Sequence, residues 1–488
     1  MPAYPARHAM YDRRMVKRLS PSDAFFLYHE SREQMAHDAS LMPFTPAPDS
    51  PPDLLRGLMD ELRGAPPVCS PWNLRLRTPD LRWNPLHSWV EEPGVDLEYH
   101  VRRSALPSPG DEHELGILMS RLHECRVDLH RPPWEAHCIE GLERGRFAWY
   151  IKTHHSLVDG YSAIQAFTHG LSSDPDERDR PLFFSTPPRA RSKPPPASAA
   201  GEAGEPEAGS RGIHLRELLG AVREQYGASK AVIRALVDIV QASRAGDHDL
   251  VSPLEAPRCV LNARISKSRR FATQSLSIAR MRAIARAANG TLNDVALALW
   301  AASLRTYLLE QGALPTAPLV AMVPVSIRAK DELGGGNSVG AILATLATDV
   351  ADPAERLARI VASTTRAKQQ LRGMSKAAIL QYSALLAAPS MLQAIPGAAG
   401  HLRPSFNVVI SNIPGPDRPL YFRGARLEAW YPMPSPFHGQ ALMICFISYA
   451  GQVCFGLTGC RDTVPHLQRL AVYCGEALSE LEHAVLHA

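Results

Sequence analysis

KTHHSLVDGYSA, residues 152–163, sets two histidines side by side and an Asp-Gly pair four residues beyond the second. The stretch that leads into it, RFAWYIKT (146–153), is rich in aromatic and β-branched residues and reads as a strand. The stretch that follows, GYSAIQAFTHGL (160–171), places Ala163, Ile164, Phe167 and Leu171 at helical spacing, with Asp159 in the position of an N-cap. His154 and His155 therefore stand at the C-terminal mouth of a strand, ahead of a loop and a helix. Neighbouring side chains on a strand point to opposite faces, so at most one of the two faces a given pocket. The other is expected to be buried or packed sideways.

Strands and helices alternate outward in both directions. PDLLRGLMDELR (52–63), residues 112–123 and residues 463–485 read as amphipathic helices. Ser20 or Ser22 is placed to cap a short helix in SPSDAFFLYHES. DLEYHVRRSALPSPG (96–110) reads as a strand running into a Pro-Gly turn. Residues 214–245 read as a long helix, and 269–308 as strand, helix, Gly turn and helix. Residues 317–328, 403–416, 440–451 and 452–460 are strand-like, the last two joined as a hairpin. With no internal repeat, the expected class is mixed α/β layers.

A chain of 488 residues with 45% hydrophobic and 21% charged residues has material for two globular domains. STPPRARSKPPPASAAGEAGEPEAGSRG (185–212) lacks large apolar residues and reads as a disordered linker between residues 1–184 and 213–488. A formal charge of +4 is small for this length, and no recognition motif is present, so nucleic acid is not an expected partner. The 8 cysteines are scattered without a CxxC pair, which favours free thiols in a reducing cytosol over a disulfide framework. The stretch MPAYPARHAMYDRRMVKR carries no apolar run after its basic residues and is not read as a secretory signal. No run of 18 apolar residues is present to span a bilayer. One stretch, 377–400, carries no charge and is interrupted by Pro389 and Pro396. It reads either as a buried helix with its turn or as a surface element that touches lipid.

A neutral imidazole at the strand mouth is suited to take a proton from a hydroxyl that attacks a carbonyl. Asp159 either orients that ring or holds the loop by capping the helix or binding an arginine. No GxSxG elbow is present for a serine-acyl intermediate. Adjacent strand histidines diverge, and no HExxH or Cys/His cluster completes a metal site, so no metal is expected.

HHSLVDG (154–160) matches the HHxxxDG motif of the CoA-dependent acyltransferase superfamily. PPWEAHCIEGL (132–142), TLNDVALA (291–298), PVSIR (324–328), GGGNSVG (334–340) and NVVISNIPGP (407–416) resemble, in order, segments of the bacterial wax ester synthase/diacylglycerol acyltransferase family. MAHDASLMPF (35–44) departs from the family's Gly-Gly-Leu-like pattern, and Pro133 stands where leucine is usual. The resemblance implies two chloramphenicol-acetyltransferase-like domains, each a mixed sheet with packed helices, arranged as a V around a central tunnel. It implies transfer of a fatty acyl group from acyl-CoA to a long-chain alcohol or diacylglycerol, with acyl-CoA as co-substrate and no bound cofactor. It also implies that His155 is the base, that His154 packs beside it, and that Asp159 holds the loop. Related alternatives are an acyltransferase for a polyketide or peptide intermediate, and a silent lipid-binding scaffold of the same fold.

A thioester under attack develops an oxyanion that needs hydrogen-bond donors. Asn293 is one candidate, or else the cap of its helix; Asp294 binds an arginine or sits in the first helical turn. Ser411 and Asn412 either face the tunnel or form a turn before Pro414-Gly415. Gly160 and Trp134 complete the substrate-side set, Trp134 as core packing near the site. Arg269 and Arg270 are read as a solvated face, with CoA phosphates as the alternative. Since the substrates are poorly soluble, the enzyme is expected in the cytosol, visiting a membrane or lipid-droplet surface through 377–400.

Overall fold

All 8 residues of the strand Phe147–His154 are buried, and the first sheet is built around them. The computed structural model describes residues 17–186, 251–326, 339–392 and 403–487, apart from 52, 65, 82–83, 85–86 and 252–254. Most of the expected linker, and the helix expected over 214–245, lie outside the described residues.

Phe147–His154 runs antiparallel to His37–Thr45 on one side and to Trp134–Glu140 on the other. Val101–Ala105 extends the sheet as a parallel neighbour of Trp134–Glu140. The far edge comes from the second half of the chain, where Ala425–Leu427 and Tyr431–Met433 both pair with His37–Thr45. A division into 1–184 and 213–488 therefore does not separate the sheets. Pairing follows the unsatisfied edge of His37–Thr45, and that edge is closed by residues from the other side of the linker.

The second sheet has the order Val339–Thr345, Val320–Ser326, Val408–Ile413, Leu442–Tyr449, Gln452–Cys460, Arg269–Ser277. Val408–Ile413 lies parallel to both neighbours, and Leu442–Tyr449 with Gln452–Cys460 forms the expected hairpin. Helices Leu292–Glu310, Pro353–Arg372 and Gln468–Leu486 pack on one another over this sheet. Leu292–Glu310 is rich in alanine and leucine and is buried nearly all round, which places it in the middle of the layer. Its cap is Thr291, not Asn293: the Thr291 hydroxyl accepts from the Asp294 N–H, and Asp294 returns the bond in a capping box.

Three further local expectations are corrected. Residues 96–110 begin with a helical turn, Leu97–His100, capped by Asp96, before the strand Val101–Ala105. Helix Lys376–Leu392 runs through Pro389 rather than breaking there. Arg269 is neither solvated nor open to a phosphate. It is buried, and it donates to the carbonyls of Ser266 (2.5 Å) and Glu33 (2.6 Å). Burial pushes its guanidinium down to about 10. Arg269 thus ties the edge strand of the second sheet to the segment that enters the first.

Helix Glu112–His123 lies against strand Arg269–Ser277, and its Leu115 and Met119 share a core with Ala39, Tyr150 and Phe271. The opposite face of the first sheet is covered by helices Leu54–Arg63 and Gly160–His169, whose Leu58, Leu62, Ile164 and Phe167 share a core with Trp149 and Ile151. All eight cysteines are free. Among the described residues, no helix is long and apolar enough to cross a membrane.

Candidate active site

The strand that carries the histidines is clamped at its end from both sides. The His154 N–H donates to the Pro133 carbonyl (2.9 Å), and the His155 N–H donates to the Ala36 carbonyl (2.8 Å). The PPW stretch thus acts on the site through backbone pairing. Trp134 stands opposite Thr153 and is fully buried. Its indole N–H donates to the Trp72 carbonyl (2.7 Å), and its ring stacks on His100 (4.5 Å). Those contacts are core packing behind the strand.

The two histidines have different surroundings, as strand alternation requires. His154 is fully buried. Its Nδ1 accepts from the Ser156 N–H (3.2 Å) with the Ser156 hydroxyl 2.7 Å away, and its Nε2 has no hydrogen-bond partner. Burial, aided by the neighbouring His155, pushes it down to about 3, so it is a neutral packing residue near pH 7. Its cross-strand neighbour His37 is also buried and donates from Nε2 to the His123 carbonyl (3.1 Å). His123 in turn contacts the Tyr150 hydroxyl (3.0 Å) and the Ser435 hydroxyl (3.2 Å). Beside them, buried Lys152 donates to the carbonyls of Leu122 (3.1 Å) and Cys125 (2.8 Å) and lies 3.4 Å from Glu135. Burial raises the Glu135 carboxyl, but His137, Lys152 and Arg102 outweigh it and hold the group at about 2.

His155 faces the other way and keeps 23% of its side chain exposed. Phe26, on helix Pro21–His29 capped by Ser20, stacks on its ring at 4.0 Å and 11°. Its Nε2 lies 3.4 Å from Asp38 Oδ2, while its Nδ1 is buried without a partner. The accessible basic atom is therefore Nε2.

Asp159 caps helix Gly160–His169, accepting from the Ser162 N–H at 2.8 Å. A Cβ on Gly160 would lie 3.4 Å from Ile413 Cδ1, so the helix start touches the second sheet. On that sheet Ser411 stands beside Cys445, and its side chain is hydrogen-bonded to the Cys445 thiol. Burial, with the Asp38 charge next in size, pushes this thiol up to about 12. Asn412, which follows Ser411, is exposed. A separate cleft of about 690 Å³ at the far end of helix Gly160–His169 is lined by His169, Arg180 and Arg418, and the histidine pair does not line it.

Asp294 is engaged within its own helix start and with the neighbouring helix. Asp294 is buried; its Oδ2 accepts from the Thr291 N–H (2.8 Å) and hydroxyl (2.7 Å), and its Oδ1 accepts from the Thr364 hydroxyl (2.7 Å). Lys368 stands 3.7 Å away, and of the two placements expected for Asp294 the structure has the one in the first helical turn, with no arginine paired to it among the described residues. Asn293 Oδ1 is buried without a partner.

The sequence reading missed Asp38, Phe26 and Ser435. HDASLMPFT (37–45) forms the central strand beside the histidines, yet it has no Val, Ile, Tyr or Trp and carries Pro43 two residues before its end. The one available signal was the departure of 35–44 from the family pattern.

The family model described as wax ester synthase/diacylglycerol acyltransferase catalytic domain matches residues 19–296, and the WS/DGAT C-terminal domain matches 335–482. A putative diacylglycerol O-acyltransferase of Mycobacterium tuberculosis is 49% identical over 489 residues, covering 96% of this chain and 98% of the relative. The O-acyltransferase WSD of Acinetobacter baylyi is 37% identical over 96% of this chain and 98% of its own length. The solved wax ester synthase/diacylglycerol acyltransferase from Marinobacter aquaeolei VT8 superposes with a TM-score of 0.73 at 39% identity, covering 96% of this chain and 98% of that one. The chain is an acyltransferase. The chain belongs to the wax ester synthase/diacylglycerol acyltransferase family.

Proposed function

We propose that this enzyme moves a fatty acyl group from acyl-CoA to the hydroxyl of a long-chain alcohol or a diacylglycerol, with His155 Nε2 as the general base. The observation that carries this reading is the contrast between the two rings. His154 is sealed and held neutral, whereas His155 presents one accessible nitrogen at the junction of the sheets. The acceptor O–H bond breaks as its proton passes to Nε2, and the oxygen forms a bond to the thioester carbonyl carbon. The tetrahedral oxyanion collapses, the C–S bond breaks, and the imidazolium returns the proton to the CoA thiolate. Ester and free CoA leave. The steps as written require no metal or bound cofactor.

Asp159 and Gly160 hold the loop and helix start in this scheme, and Trp134 backs the strand. Ser411, which shares a strand face with Ile413, lies on the substrate path and its hydroxyl is the candidate oxyanion donor on the second sheet, whereas alternation turns Asn412 to the opposite face. Asn293 is the alternative donor, and Asp294 anchors its helix. The enzyme works in the cytoplasm at a membrane or lipid-droplet surface. Helix Lys376–Leu392 is the proposed contact, because Leu380 and Leu385 are exposed while Tyr382 and Leu386 anchor it in the core. The test is thiol release from acyl-CoA with hexadecanol, with diacylglycerol, and with neither. Release that depends on acceptor supports transfer and ranks the two acceptors. Absence of release with either acceptor sinks it.

A further inference from the structure

A carboxylate beside His155, that of Asp38, comes from a strand outside the histidine motif. We propose that Asp38 is a positioning residue for the reaction: it fixes the His155 ring and balances the charge that ring acquires. This inference rests on the acyl-transfer reading above.

Four contacts define the arrangement. Ala36 and Asp38, two residues apart on one segment, hold His155 at different points: the Ala36 carbonyl takes its N–H at 2.8 Å, and Asp38 Oδ2 stands 3.4 Å from Nε2. The other oxygen, Oδ1, accepts from the Ser435 N–H at 3.2 Å, which aims Oδ2 at the ring. Phe26 stacks on the ring at 4.0 Å and leaves it little freedom to turn away. Asp159, the carboxylate of the motif, is instead engaged as the cap of the following helix.

At 3.4 Å the Asp38–His155 contact is longer than a good N–H···O bond, and with the ring proton on Nδ1 the Nε2 lone pair is available to the acceptor hydroxyl. Once the proton has moved, the imidazolium and the carboxylate form an ion pair at that distance. The pair is favoured only after proton transfer, so it lowers the barrier without tightening ground-state binding. Asp38 is 36% exposed, which moderates the effect below that of a sealed pair.

The test compares Asp38→Asn, Asp38→Ser and Asp38→Glu with wild type and His155→Ala, measuring kcat and both KM values by thiol release. Asp38→Asn and Asp38→Ser are expected to lower kcat about 10- to 100-fold with each KM within about twofold, and Asp38→Glu to recover part of the loss. If Asp38→Asn does not fold, Asp38→Ser gives the same reading with a smaller uncharged side chain. A folded uncharged variant with wild-type kcat overturns the proposal. So does a change confined to KM, or a Glu variant no better than Asn. Wild type without acceptor-dependent release, or a His155→Ala variant at full rate, overturns the acyl-transfer reading itself. An active wild type, a dead His155→Ala and a full-speed Asp38→Asn overturn the role of Asp38 alone.

Discussion

The strand end that carries His155 and the helix start that carries Asp294 are both clusters of polar residues inside family motifs, and they are built in opposite ways. Both oxygens of Asp294 accept hydrogen bonds from Thr291 or Thr364, Lys368 stands beside it, and the carboxylate is closed from solvent. His155 has one buried nitrogen with no partner and one accessible nitrogen beside a half-exposed carboxylate. A saturated buried cluster specifies a fold, because losing any member leaves the others unpaired. An under-satisfied and accessible one has bonding capacity left for a substrate. Motif membership alone does not separate these roles; the hydrogen-bond inventory does.

The largest expected effect tests the open cluster. His155→Ala should lower acyl transfer about 10²–10⁴-fold with an almost unchanged melting temperature. A folded variant that turns over at the wild-type rate would break the contrast at its catalytic end.

Acid should act on the sealed side. Burial pushes His154 and His123 down to about 3 and His100 down to about 4, from an ordinary value of 6.5. Below pH ~6.5 the unfolded chain binds protons that these folded residues refuse. The stability they supply is full above that pH and declines as pH falls toward 3–4. Each contributes a slope of about 1.4 kcal/mol per pH unit, so the three together give roughly 4 kcal/mol per unit. Urea midpoints measured from pH 8 to pH 5 should drop steeply below pH 6. A flat profile would show that these rings take up protons without unfolding.

Asp294→Ala should cost about 1–3 kcal/mol, because it removes the carboxylate half of the capping box and the bond from the Thr364 hydroxyl, which keeps only the Val361 carbonyl. The folded fraction should keep its specific activity. A kcat loss at unchanged stability would move Asp294 into the reacting cluster and erase the distinction drawn here.

The smallest stability effect is expected for Leu385→Ser, within about 0.5 kcal/mol, because the side chain is 42% exposed. Flotation with phospholipid vesicles should show weaker binding if this helix meets lipid. Unaltered flotation of the stable variant would remove the helix from the surface role.

Much of this architecture was legible from local pattern. The strand into the histidines, the cap at Asp159, the helix after it and the hairpin at 442–460 all appear where residue type and period place them. Strand alternation also required His154 and His155 to differ. The misreadings share one cause. His37–Thr45 has poor strand composition and persists because it is paired on both sides. Pro389 stays helical although composition argues for a break. Arg269 is charged yet buried, because carbonyls distant in sequence gather around it.

Residue order alone carries the class of chemistry: a titratable imidazole at a strand mouth, followed by a capped helix, is a short-range feature, and short-range features survive in sequence. Which ring is open, which carboxylate stands beside it, and which strands close the sheet depend on pairings between distant segments. His37 meets His154, Asp38 meets His155, and Tyr431–Met433 crosses from the second half to cover the edge of the first sheet. Such pairings are set by the need to bury apolar faces and satisfy every strand edge at once. That is a condition on the whole fold, and no window of sequence contains it.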